Sequence, residues 1–128
     1  MTAEQNKDQH QNKVLNGVTV LVVDDELLIG LDTEWILQQA GATVFGPFTT
    51  LSSSLNAMEH ETPQFAVVDF RLGKHETTTS LIEILTERGV PTILYSGQFG
   101  LDALPENCRF LSKPASEEAL IQAVQQFL

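Results

Sequence analysis

Residues 18–23, VTVLVV, form an unbroken β-branched and aliphatic run that stops at three acids, Asp24, Asp25 and Glu26. A strand with one face in water alternates apolar and polar residues, so a continuous run of β-branched and aliphatic residues predicts a strand covered on both faces, as in a parallel sheet layered between helices. Similar runs repeat the pattern: ATVFG at 42–46, QFAVVDF at 64–70, PTILYS at 91–96 and, as a fifth candidate, CRFL at 108–111. Between them the spacing becomes helical. Ile29, Thr33, Ile36 and Ala40 share one face, as do Leu51, Leu55 and Met58; Leu81, Ile84 and Leu85 precede Gly89, and Leu120, Val124 and Phe127 follow a Pro-Ala-Ser-Glu-Glu start. Trp35 is assigned to packing. Residues 96–107, SGQFGLDALPEN, carry two glycines and a proline and support at most a short, weak fourth helix. Alternating strands and helices predict an α/β fold with a doubly wound, five-stranded parallel sheet.

The 128 residues suit one domain, and Cys108, the single cysteine, excludes an intramolecular disulfide or a zinc site built from several thiolates. Residues 1–16 hold five Gln or Asn before residue 13 and little that is apolar, which predicts a disordered N-terminal tail ahead of a domain at 17–128. A net charge of −10 repels phosphate backbones and anionic lipid, so neither nucleic acid nor a membrane is expected as a partner. With no signal-like start and no apolar run of about 20 residues, a cytoplasmic location is expected.

Ligand sites in open α/β sheets lie beyond the carboxyl ends of the strands. That rule selects Asp24, Asp25 and Glu26 after the first strand, Asp69 after the third, Ser96 after the fourth and Lys113 after the fifth. Carboxylates gathered at neighbouring strand ends repel one another, and a hard divalent cation relieves that repulsion; Mg²⁺, which keeps several waters and favours phosphate oxygens, is the natural candidate. An aspartate nucleophile could then form an acyl phosphate, with a lysine and a hydroxyl on the remaining oxygens. Taken singly, Asp24 and Asp25 read equally well as helix caps, Asp69 and Ser96 as turn residues, Lys113 as a surface lysine and Phe110 as ordinary core.

In order along the chain, VLVVDDELLIGLD, FAVVDFRLG, TILYSG and FLSKP resemble the receiver domain of bacterial two-component response regulators over residues 18–128. The resemblance implies a flavodoxin-like, CheY-like (βα)5 fold with strand order 2-1-3-4-5. It also implies that Asp69 accepts a phosphoryl group from a histidine kinase. Asp25, Asp69 and the Arg71 backbone carbonyl would ligate Mg²⁺, with Asp24 acting largely through a metal-bound water. Ser96 and Lys113 would bind the phosphoryl group, and the rotamer of Phe110 would follow Ser96. The stretch Pro91-Thr92-Ile93-Leu94-Tyr95-Ser96-Gly97-Gln98, together with IGLDTEWIL and VFGPF, further resembles the stand-alone FAT GUY receivers, with Ser96 and Gln98 departing from that group's Thr and Tyr. Arg71 and Gln98 flank the expected site, where they would modulate attack of water on the acyl phosphate.

The expectation is therefore a single-domain response regulator, monomeric or weakly dimeric, with output by protein contact and no catalytic turnover beyond its own phosphorylation and dephosphorylation. Two other readings stay open. One is a receiver-like interaction module that never carries phosphate. The other is a phosphatase of the haloacid dehalogenase type, against which stands Arg71, where that class places an acid two residues after its nucleophile.

Overall fold

The computed structural model describes residues 13–97 and 104–128. Along the chain come β1 (Thr19–Val23), α1 (Leu27–Gln39), β2 (Thr43–Phe48), α2 (Leu51–His60), β3 (Phe65–Val68), a two-strand pair β4 (Arg71–Leu72) and β5 (Glu76–Thr77), α3 (Thr79–Glu87), β6 (Thr92–Ser96), β7 (Cys108–Ser112) and α4 (Glu117–Phe127). Five of the strands form one sheet in the order β2-β1-β3-β6-β7, every neighbouring pair parallel. In terms of the five apolar runs this is the expected order 2-1-3-4-5. Four helices are present among the described residues. The segment expected to hold a weak fourth helix includes residues 98–103, outside the described residues, as is Gln98.

Double-sided burial explains the unbroken apolar runs. Val20 and Val22 of β1, Phe65 and Val67 of β3 and Ile93 of β6 pack with Leu37 of α1 and Leu120 and Val124 of α4. Their strand neighbours Leu21, Val23, Ala66, Val68 and Leu94 pack on the opposite face with Met58 of α2 and Leu81 and Leu85 of α3. Because successive side chains alternate across a sheet, each run feeds two cores at once. A polar residue inside β1 or β3 would stand unpaired in one of them.

Two sequence expectations need correcting. The packed chain begins before residue 17: Leu15 is 0% exposed, within the core on the α1 and α4 side, and its N–H donates to the Ala40 carbonyl at 2.7 Å. This leucine and its hydrogen bond anchor the stretch directly before β1, which composition alone does not reveal; residues 1–12 lie outside the described residues. Trp35, assigned to packing, is 53% exposed. Helix α1 buries Gly30, Thr33, Ile36 and Leu37, and Trp35 lies on the other side with Leu27, Leu28 and Leu31, all exposed.

Local devices set the strand ends. Gly46 has φ +108°, a conformation open to glycine, and a Cβ there would meet the Val22 carbonyl at 2.5 Å. The register of β1 against β2 shifts at this point, pairing Val23 with Phe48, and the Phe48 carbonyl accepts the Asp24 N–H at 2.9 Å. The VFGPF stretch thus forms a seat for the first acidic residue.

Candidate functional site, an acidic cleft at the strand ends

Backbone hydrogen bonds bring the acids and the lysine together. The Asp69 N–H donates to the Val23 carbonyl at 2.8 Å, which sets Asp69 beside Asp24, and the Lys113 N–H donates to the Ser96 carbonyl at 2.9 Å, which sets Lys113 beside Ser96. The Lys113–Pro114 peptide is cis. Asp24 and Asp69 are 3% and 6% exposed, an uncommon condition for carboxylates unless they are paired.

They are paired through one cation. Lys113 Nζ lies 2.7 Å from Asp24 Oδ2 and 2.9 Å from Asp69 Oδ2, with Glu26 Oε1 at 3.6 Å. Asp24 Oδ1 accepts the Glu26 N–H at 2.9 Å, and Asp69 Oδ1 accepts the Arg71 N–H at 3.4 Å. Asp25 is exposed and faces the β4–β5 loop, where its Oδ2 accepts the Gly73 N–H at 2.8 Å.

The charges shift one another. Burial raises Asp24 above the usual carboxylate range, outweighing the hydrogen bonds from Lys113 and the Glu26 amide that favour its charged form. For Lys113 burial works to lower the pKa, but hydrogen bonds and charge attraction from Asp24 and Asp69 prevail and push it up to about 12. One buried cation thus holds two buried anions, and Asp25 and Glu26 add further negative charge at the rim.

Asp25, Glu26, Asp69, Arg71, Gly73, Ser96 and Gly97 line an open cleft of about 200 Å³. Oxygen atoms of Asp24, Asp25, Glu26 and Asp69 lie within 4.8 Å of one another, so these carboxylates, all hard oxygen donors, fit a divalent cation. Of the residues singled out from sequence for this site, the structure brings together Asp24, Asp25, Asp69, Arg71, Ser96 and Lys113. Phe110 sits apart from the cleft, half-buried on β7 opposite Leu94 and packed in the core on the α2 and α3 side. Glu26 belongs to the acidic group although no role was assigned to it; its signal was its place beside Asp24 and Asp25. Burial pushes the Cys108 thiol up to about 11, which suits a packing residue rather than a nucleophile.

Comparison with known proteins places this arrangement. No protein-family model and no curated protein matches the chain. Solved structures do: a response regulator receiver protein from Sinorhizobium medicae WSM419 is 26% identical with a TM-score of 0.76, over 88% of this chain and 95% of that one. A CheY-like receiver domain protein from Methanospirillum hungatei JF-1 is 24% identical with a TM-score of 0.72, over 85% of this chain and 91% of that one. The PhyR stress response regulator is 22% identical with a TM-score of 0.78, over 96% of this chain and 49% of that one. The fold is that of receiver domains, and the cleft lies at the carboxyl ends of its strands. More particularly, the chain shares the fold of response regulator receiver domains of the CheY-like class, a fold that supports a role in two-component signalling. Among the described residues no helix is long and apolar enough to cross a membrane.

Proposed function

We propose that this chain acts as a response regulator receiver that accepts a phosphoryl group on Asp69 from a histidine kinase. The observation that carries the reading is the pairing of Asp69 with Lys113 at 2.9 Å inside a group of four carboxylates that opens on a cleft. An Asp69 oxygen attacks phosphorus, the nitrogen–phosphorus bond of the donor phosphohistidine breaks, and the imidazole leaves with the electron pair. Lys113 stays on the resulting acyl phosphate as a point charge, while Ser96, 4% exposed and lining the cleft, supplies a hydroxyl donor. Asp25, Asp69 and the Arg71 carbonyl would hold Mg²⁺, with Asp24 through water. Bound there, the cation would offset charge on the transferring oxygens.

Partner recognition has a surface beside the cleft. Helix α1 starts directly after Glu26, and its exposed Leu27, Leu28, Leu31 and Trp35 offer an apolar contact to the donor protein whose histidine must reach Asp69. Movement of Ser96 and Phe110 after phosphorylation would carry the signal to an output partner, and Arg71 and Gln98 would set phosphoryl lifetime. The likeness to FAT GUY receivers and a cytoplasmic setting belong to the same proposal.

The test is labelling by acetyl phosphate with Mg²⁺. Wild-type protein is expected to gain one phosphoryl group and Asp69→Asn none; full labelling of the variant would refute the assignment.

A further inference from the structure

Three helices begin at a hydroxyl-bearing residue, and one of them uses its hydroxyl differently. Thr50 accepts the Ser53 N–H at 3.2 Å and Ser116 accepts the Ala119 N–H at 3.1 Å, each capping its own helix. Thr78, the N-cap of α3, makes no such bond. It is 0% exposed, and its Oγ1 lies 2.9 Å from the Asp69 carbonyl and 3.2 Å from the Phe70 carbonyl, so its single proton is shared between the two peptides that follow the acceptor strand. Its N–H donates to the Phe70 carbonyl as well, at 2.9 Å. The helix forgoes a cap, and the backbone at Asp69 gains a clamp.

We propose that Thr78 is a positioning residue for Asp69, which rests on Asp69 being the phosphoryl acceptor. The Asp69 backbone is held from one side by the Val23 carbonyl on its N–H and from the other by Thr78 on its carbonyl. Without the Thr78 hydroxyl the buried Asp69 carbonyl loses this donor while the flanking Val23 and Thr78 N–H bonds remain, so the constraint that goes is the one on the Asp69–Phe70 peptide. The clamp extends one residue further. In an extended strand the polar groups of successive residues face opposite sides, so fixing the Phe70 carbonyl on Thr78 turns the N–H and carbonyl of Arg71 the other way. That is the side on which the Arg71 N–H meets Asp69 Oδ1 at 3.4 Å. Thr78 therefore acts on the backbone that carries both the Asp69 carboxylate and the Arg71 N–H that meets it, its hydroxyl through the Asp69 carbonyl and its N–H through the Phe70 carbonyl. A displacement of about 1 Å at a reacting group can cost orders of magnitude in rate, so a clamp remote from the reacting atoms has kinetic weight.

The experiment compares wild type with Thr78→Val, Thr78→Ser and Thr50→Val, measuring the acetyl phosphate labelling rate against donor concentration, Mg²⁺ affinity by calorimetry, and thermal midpoint. Thr78→Val is expected to lower the saturating rate by about tenfold and weaken Mg²⁺, with less than about twofold change in half-saturating acetyl phosphate. Thr78→Ser should restore both. Thr50→Val, which loses a real cap, should lower the thermal midpoint and leave the rate alone. Should Thr78→Val not fold, Thr78→Ala removes the same hydroxyl and is judged by the same rate and affinity. A wild-type rate and Mg²⁺ affinity without the hydroxyl, failed rescue by serine, or equal slowing in Thr50→Val would overturn the proposal. Loss of labelling in Asp69→Ala alongside an unchanged Thr78→Val would remove the clamp alone, whereas labelling that survives Asp69→Ala would remove the acceptor reading and the clamp with it.

Discussion

The acidic cleft and helix α1 adjoin in sequence and invert the usual distribution of residues in opposite ways. In the cleft, Asp24, Asp69 and Lys113 are charged and nearly sealed from solvent, whereas on α1 Leu28 is 81% exposed and Trp35 53%. Buried charge and exposed large apolar groups are the two arrangements a fold does not adopt for stability alone. Their juxtaposition concentrates the cost around one cleft, with charge held inside and apolar surface left outside, where the proposed phosphoryl transfer and partner contact would use them. The rest of the described domain follows ordinary rules, with apolar strand faces covered by helices.

The sharpest way to break the comparison is to remove the cation. Lys113→Met keeps most of the apolar stem and leaves two buried carboxylates uncompensated, which should destabilise the fold by about 3–5 kcal/mol at neutral pH in denaturant titrations. The loss should shrink on acidification as the carboxylates take up protons. The sign at alkaline pH follows from the raised Lys113 pKa: the wild-type advantage is complete below about 10.5 and fades as pH climbs through about 12. A constant difference across that range would show that charge is not its source.

Asp24→Asn should act in the opposite direction. The pKa of Asp24 is raised by burial, so its ionised form costs folding free energy at neutral pH, and Asn should raise the thermal midpoint while weakening Mg²⁺. Because a raised carboxylate pKa means the folded state binds its proton more readily, the advantage of Asn should vanish as pH falls through 3.8. A lower midpoint for Asn at neutral pH would show that the Lys113 pair outweighs burial.

The exposed face gives smaller stability effects and a functional contrast. Leu28→Gln with Trp35→Gln should change stability by no more than about 0.5 kcal/mol per site and leave acetyl phosphate labelling intact, while slowing transfer from a phosphorylated kinase. Equal slowing with both donors would deny the helix a role in docking. Smallest of all, Arg71→Ala should alter the decay of the phosphorylated state severalfold without preventing its formation; an unchanged decay rate would remove Arg71 as a modulator.

These regions were not equally legible in the sequence. The five main strands could be read because each apolar run feeds two cores, and the site residues because each stands where such a run ends. Helix α1 was ambiguous: LLIGLDTEWIL has apolar residues at helical spacing on more than one face, so periodicity places Trp35 on a stripe but not against a neighbour. The β4–β5 pair, Arg71–Leu72 with Glu76–Thr77, is too short to carry a period, and it determines where Asp25 and Arg71 point. Thr78 was hidden for another reason. In sequence a threonine before a helix reads as a cap, and its hydroxyl turns back to Asp69 only because the strand end passes behind it.

The most direct test of the central claim identifies the phosphorylated atom's residue chemically. After incubation with acetyl phosphate and Mg²⁺, borohydride reduction converts an aspartyl phosphate to homoserine, which peptide mass spectrometry can locate. The account predicts homoserine at position 69, dependent on Mg²⁺ and absent when hydroxylamine is added first. Homoserine at position 24 or 25, or no adduct at all on folded protein, would contradict it.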